Sequence, residues 1–130
     1  MRHSCLINGY DTLNLTKLDV LDDLEEIKVA VKYLVDGKEL PGFPGQSWVL
    51  FMKFCWGAYS DTNTANLETL GKVEVSYVKL AGWKTSIAAV SSYEEFPEKC
   101  KRYISFIEEY LKIPIEWIGV GPGRESMVKR

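Results

Sequence analysis

Thr16-Lys17-Leu18-Asp19 follows a short apolar stretch, and its carboxylate is the first group in the chain with a clear chemical use. A carboxylate at a strand end can accept two hydrogen bonds in parallel. Guanine offers two parallel donors, N1–H and the 2-amino group. Adenine presents an acceptor at N1 and has no 2-amino group. Asp19 set against a purine edge would favour guanine, because adenine leaves its lone pairs unpaired at roughly 1–3 kcal/mol per buried group. The aliphatic stem of Lys17 can lie over a base face while its ammonium stays in water. A solvated turn can carry the same four residues, and the tetrapeptide alone does not separate the two readings.

The second candidate is Gly119-Val120-Gly121-Pro122-Gly123-Arg124. It follows an apolar run that reads as a strand, and loops at the carboxyl ends of strands are where α/β sheets bind ligands. Glycines let backbone N–H groups approach a ligand closely. The loop lacks the GK[ST] ending of a phosphate-binding loop. A plain turn with Arg124 as a surface charge is the alternative.

Elements must position these residues. Residues 13–20 read as a short buried strand that runs into the acidic cluster Asp22, Asp23, Glu25 and Glu26. Ile27, Val29, Val31 and Tyr33 alternate with Lys28, Ala30 and Lys32, the period of a strand. Asp36-Gly37 predicts a tight turn and Lys38-Glu39-Leu40 the return strand. Pro41, Gly42, Pro44 and Gly45 break it. Residues 66–70 fit a helical turn. Residues 72–80 alternate again, with Val73, Val75, Tyr77 and Lys79 on one side, and Gly82-Trp83-Lys84 closes that strand.

Residues 97–112 predict the main helix. Cys100, Ile104, Ile107 and Leu111 form one apolar stripe, a core face, widened by Tyr103, Phe106 and Tyr110. Pro97 suits the first turn, and Ser92 with Glu95 fits a capping box just before it. Pro114 ends the helix, and residues 115–120 form a short apolar strand. Trp83 and Trp117 read as core or pocket-wall aromatics.

Composition narrows the class. At 130 residues the chain is one domain or a piece of one. A net charge of -2, with cations interleaved among anions, argues against a nucleic-acid partner. Cys5, Cys55 and Cys100 are far apart and in no CxxC pair, which reads as free thiols of a reducing compartment. No signal peptide is evident, so the expected location is cytoplasmic. The apolar stretch 48–59 is too short and too interrupted by Lys53 and Gly57 to span a membrane. It could instead form a partner-binding patch.

Together the two candidate sites invite a comparison. The ordered motifs Leu6-Ile7-Asn8-Gly9-Tyr10, Leu13-Asn14-Leu15-Thr16-Lys17-Leu18-Asp19-Val20-Leu21-Asp22, Glu26-Ile27-Lys28-Val29, Asp36-Gly37-Lys38, Lys72-Val73-Glu74-Val75, Gly82-Trp83-Lys84-Thr85 and Trp117-Ile118-Gly119-Val120-Gly121-Pro122-Gly123-Arg124-Glu125 resemble the C-terminal portion of the adenylosuccinate synthetase family. The match covers nearly all the chain except about residues 45–64.

The resemblance implies an α/β fold: the C-terminal part of a P-loop-NTPase-like architecture, a mixed sheet with a β-hairpin and one main helix. It implies a GTP-dependent ligase that joins IMP and L-aspartate with Mg2+ in AMP biosynthesis, a homodimer at full length. In such enzymes the motif matched by Lys17, Leu18 and Asp19 contacts the guanine base. The backbone matched by Gly119, Val120 and Gly121 lines the base pocket, with Pro122 beside it.

The departures are equally specific. The family's N-terminal phosphate loop, its catalytic aspartate and histidine, and the loop that holds aspartate have no counterpart in these residues. His3 matches no catalytic position, and no residue is assigned as catalytic or as a metal ligand. The expectation is a single C-terminal segment, residues 1–130, that is inactive alone. Residues 45–64 look inserted between Phe43-Pro44 and Ala65-Asn66-Leu67. A retained intron or gene-model error explains such a stretch, and a genuine surface insertion is the alternative. The rival functional reading is a non-catalytic fragment that acts, if at all, as an interaction module.

Overall fold

The structure, a computed structural model, describes residues 4–5, 8–40 and 71–130. His3, Leu6, Ile7, Cys55, the breakers Pro41, Gly42, Pro44 and Gly45, the stretch 48–59, the segment 45–64 and the turn expected at 66–70 lie outside the described residues. In chain order the elements are β1 (Leu13–Leu15), a 3-10 turn (Leu18–Leu21), β2 (Glu26–Val35), β3 (Lys38–Leu40), β4 (Glu74–Ala81), a second 3-10 turn (Tyr93–Glu95), α1 (Glu98–Leu111), β5 (Ile115–Gly119) and β6 (Met127–Lys129). They fall into two compact units, one of Met1–Lys28 with Lys79–Arg130 and one of Val29–Val78.

The first unit holds a mixed sheet in the order β1-β5-β6. Strand β1 runs parallel to β5, pairing Leu13 with Ile115, Asn14 with Trp117 and Leu15 with Ile118 across one irregularity after Leu13. Strand β6 runs antiparallel to β5, pairing Ile118 with Val128 and Gly119 with Met127. Leu15, Ile118 and Val128 thus form one row across the sheet, and all three are buried. The opposite face carries Asn14, Trp117 and Lys129.

Trp117 is 40% exposed, with the Lys129 ammonium 5.6 Å from its ring centroid. Of the two places expected for these aromatics, core or pocket wall, Trp83 takes the core and Trp117 does not. The irregularity in the β1–β5 ladder lets buried Ile115 and Ile118 sit three apart, which leaves Trp117 on the open face. Sequence alternation alone could not show that phase.

The strand expected over residues 13–20 stops at Leu15. Lys17 ends it by taking a left-handed backbone, φ 61° and ψ 36°. That conformation is incompatible with an extended strand. The chain then turns through Leu18–Leu21, and Leu18 becomes the buried anchor of the turn.

Helix α1 follows the apolar stripe: Cys100 and Ile104 are fully buried and Ile107 nearly so. Pro97 stands one position outside the helix, as its N-cap, rather than in the first turn. Ser92 and Glu95 form the expected capping box. The Glu95 carboxylate accepts the Ser91 and Ser92 backbone N–H groups, which holds its pKa below the usual carboxylate range. Glu108 near the helix end accepts the Ile115 N–H at 2.7 Å and pairs with Arg130.

In the second unit the hairpin is as expected. Asp36 and Gly37 both have positive φ, the requirement of a two-residue hairpin loop. Val35 pairs with Lys38 and Tyr33 with Leu40, and Lys32 meets Glu39 at 3.0 Å. The sheet order is β3-β2-β4. Along β4 the expected face is half right. Val73 and Val75 are half-buried, but Tyr77 and Lys79 are exposed. From Val78 onward the shielded positions are Val78 and Leu80. The phase of alternation therefore changes at Ser76, where two neighbouring residues are both half-buried.

Candidate functional site

The two motifs singled out in the sequence lie 100 residues apart and emerge side by side. Parallel pairing of β1 and β5 puts Leu15 opposite Ile118, so the next residues are Thr16 and Gly119. A Cβ on Gly119 would stand 3.2 Å from the Thr16 Cα and 3.3 Å from the Met127 sulfur. Gly119 therefore lets the backbone of one motif approach the backbone of the other. Both loops leave from the carboxyl ends of adjacent parallel strands, the edge at which α/β sheets place ligands.

The loop after β5 is closed on itself. The Val120 N–H donates to the Ser126 carbonyl at 2.9 Å, and the Ser126 N–H to the Gly123 carbonyl at 3.1 Å. Val120 is buried, so its side chain seals the loop onto the core, while Pro122 is exposed. Leu18 is buried in the same manner. Of the expected site residues, Leu18 and Val120 thus turn their side chains into the core.

Lys17 is exposed and Asp19 half-buried on the 3-10 turn. Among the described residues neither side chain has a hydrogen-bonding or ion-pair partner. Asp22 is the opposite case. Its carboxylate accepts the Trp83 Nε1–H at 2.8 Å and the Ile87 N–H at 3.0 Å. Its own N–H donates to the Asp19 carbonyl at 3.2 Å. The acidic cluster read from the sequence therefore divides by task. Asp22 is a half-buried clamp, Glu25 pairs with Lys84 at 3.0 Å and Glu26 with Lys79 at 3.3 Å. Sequence reasoning missed the clamp, because its partners lie more than 60 positions away.

Other groups are placed away from chemistry. Cys5 and Cys100 are buried free thiols. Burial, with a smaller contribution from the Asp22 charge, pushes the Cys100 thiol up to about 12. Tyr103 is also raised, chiefly by burial. A cavity lined by Cys5, Phe106, Tyr110 and Ile113 contains none of the motif residues. Among the described residues no three His, Cys, Asp or Glu side chains stand together as a metal site, and no helix is long and apolar enough to cross a membrane.

Comparison with known proteins agrees with the motifs. The family model for adenylosuccinate synthetase matches residues 1–128. The chain is 55% identical over its whole length to adenylosuccinate synthetase of Coprinopsis cinerea, of which it covers 26%. It is 45% identical over its whole length to adenylosuccinate synthetase of Kluyveromyces lactis, again covering 26% of that protein. Among solved structures it resembles the fully ligated adenylosuccinate synthetase of Plasmodium falciparum. There the TM-score is 0.78 at 37% identity, over 99% of this chain and 27% of that one. The chain thus spans about a quarter of the length of the relatives it matches.

Proposed function

The chain belongs to the adenylosuccinate synthetase family, and from that premise we propose that it supplies the guanine-reading part of the GTP site of a GTP-dependent ligase. One observation carries the reading: parallel strands β1 and β5 bring the Lys17-Leu18-Asp19 motif and the Gly119-Val120-Gly121-Pro122 loop to one sheet edge. Asp19, without a partner among the described residues, accepts from guanine N1–H and the 2-amino group. The Lys17 stem covers the base face. Backbone groups of Gly119, Val120 and Gly121 line the pocket, with Pro122 at its rim. Buried Leu18 and Val120 hold the two loops while their side chains stay out of the ligand's way.

The whole protein then joins IMP and L-aspartate into adenylosuccinate at the expense of GTP, as a cytoplasmic homodimer. The Mg2+ of that reaction finds no ligand cluster among the described residues. No step is assigned to it on this chain. The chain is the C-terminal segment of such a protein, with residues 45–64 inserted into the family pattern, and it has no ligase activity alone.

The decisive experiment is Asp19→Asn in a full-length synthetase carrying this segment. Asn keeps one acceptor and gains a donor. Xanthine has a carbonyl where guanine has its amino group. The variant should lose GTP and gain XTP as substrate, each by about tenfold to a hundredfold. An unchanged preference for GTP would reduce the motif to a structural turn.

A further inference from the structure

We infer that Asp22 is a positioning residue for guanine recognition: it clamps the turn that carries Asp19 to the segment around Trp83 and Ile87. This rests on the proposal that Asp19 reads the base. The turn between Asp19 and Asp22 is short, and Asp22 closes it with its own N–H on the Asp19 carbonyl at 3.2 Å. The Asp22 carboxylate is then held by two donors, the Trp83 indole at 2.8 Å and the Ile87 N–H at 3.0 Å. Both donor residues are buried, Ile87 at 0% and Trp83 at 5% exposure. Hydrogen bonds to a carboxylate are stronger than neutral ones, and these two are partly shielded from water.

The neighbouring backbone locks the same joint. The Gly82 N–H donates to the Glu25 carbonyl at 2.9 Å. A Cβ on Gly82 would fall 1.8 Å from the Leu24 carbonyl oxygen, so only glycine permits that approach. The segment from Asp22 to Glu25 is therefore pressed against the segment from Gly82 to Ile87. At its other end the turn is fixed by buried Leu18. Asp19 lies between two anchors, with its carboxylate left available. Two carboxylates three residues apart thus divide the labour: Asp22 is spent on internal donors, and Asp19 is presented outward. Recognition of two parallel donors needs the acceptor held to within a fraction of an ångström, and the clamp provides that hold.

Two perturbations approach the clamp from opposite sides, both in a full-length synthetase carrying this segment. Asp22→Asn replaces an acceptor by an NH2 that faces a donor. Trp83→Phe removes the indole donor and keeps an aromatic ring. Each should raise the KM for GTP about tenfold, the value of one charge-assisted hydrogen bond. The loss should fall on KM for GTP, with kcat at saturating GTP and KM for IMP moved by no more than about twofold. Because both act on one joint, the double variant should be little worse than the stronger single one. Unchanged KM for GTP overturns the inference. So does an even loss of kcat and of both KM values alongside a fall in Tm, which would mark a purely structural clamp. If Asp22→Asn does not fold, Trp83→Phe decides alone. The Asp19→Asn variant separates the two layers. An intact GTP preference there sinks the reading of the base. A switch to XTP, together with an unmoved KM in Asp22→Asn, sinks only the positioning role.

Discussion

Gly119 and Thr16 meet where the two parallel strands end, with room at Gly119 for a hydrogen and only a tight fit for a methyl group. A Cβ there would stand 3.2 Å from the Thr16 Cα, a backbone atom held in the sheet, and 3.3 Å from the Met127 sulfur. Gly119→Ala should therefore cost about 1–2 kcal/mol by overpacking, a fall in Tm on the order of 5 °C. Gly123→Ala should cost less. Its Cβ would meet the Ser126 hydroxyl at 3.1 Å, the end of a short side chain that can turn aside. Thermal melts of the two variants check the order. Equal costs would mean that Thr16 and Gly119 are not held together by the sheet.

Cys100 should stay a thiol in the folded chain at any ordinary pH. Burial pushes it from near 9.0 to about 12. Its folded pKa lies above the unfolded one, so the unfolded chain loses the proton first. Stability from this group is intact below about pH 9 and falls as pH rises toward 12. Tyr103, raised in the same direction, adds to the fall. Melting curves from pH 8 to 11 should show the decline, and Cys100→Ala should flatten it. A thiol reagent applied to the native chain should leave Cys100 unmodified, as its full burial requires. Rapid labelling at pH 8 would contradict this.

What could be read without coordinates was what local chemistry dictates. The strand around Val29 and Val31, the Asp36-Gly37 turn, and the stripe from Cys100 to Leu111 each rest on neighbouring residues and each appears, although Ala30 is as shielded as Val29 and Val31 and Leu111 is only half-buried. The pairing that builds the site is not local. Nothing between Leu15 and Ile118 states that the two strands lie parallel, and only family resemblance joined the motifs. The misses have one cause. Left-handed Lys17 cut a strand short, the irregularity beside Glu116 put Trp117 outside, and Asp22 found its donors far along the chain. Backbone departures and distant partners leave no periodic trace.

The chain alone should make no adenylosuccinate from IMP, L-aspartate, GTP and Mg2+. Phosphoryl transfer needs a phosphate cradle, metal ligands and a positioned nucleophile. Its sequence contains no GK[ST] loop, and the described residues contain no metal-ligand cluster. Product above the no-protein control, from a pure sample, would contradict the assignment of this chain to one part of the GTP site.

Deleting residues 45–64 should leave Tm unchanged or raise it, and should improve solubility. The stretch joins many bulky apolar residues to a small polar tail, and on the proposal above it is inserted into the family pattern. Soluble yield and melting temperature with and without it are the measurements. A drop of more than about 5 °C, roughly 1–2 kcal/mol for a domain of this size, would show that the segment belongs to the core.

Lys17 offers a test in which stability and binding should move in opposite directions. Its φ of 61° lies in the left-handed region, where a side chain costs on the order of 1 kcal/mol. Glycine carries no such penalty, but it gives the unfolded chain more freedom, about 0.5–1 kcal/mol in the other direction. Lys17→Gly should therefore be neutral or slightly stabilising. Lys17→Val, with a branched Cβ in the same conformation, should be clearly destabilising. Binding separates the side chain's role from the backbone's. If the Lys17 stem covers the guanine base, the glycine variant loses that cover while keeping the turn. In a full-length synthetase carrying this segment, its KM for GTP should then rise about tenfold, the value of one lost stacking or apolar contact. A glycine variant with unaltered stability and unaltered KM would show that Lys17 only turns the chain, and that Asp19 reads the base without a cover from this side.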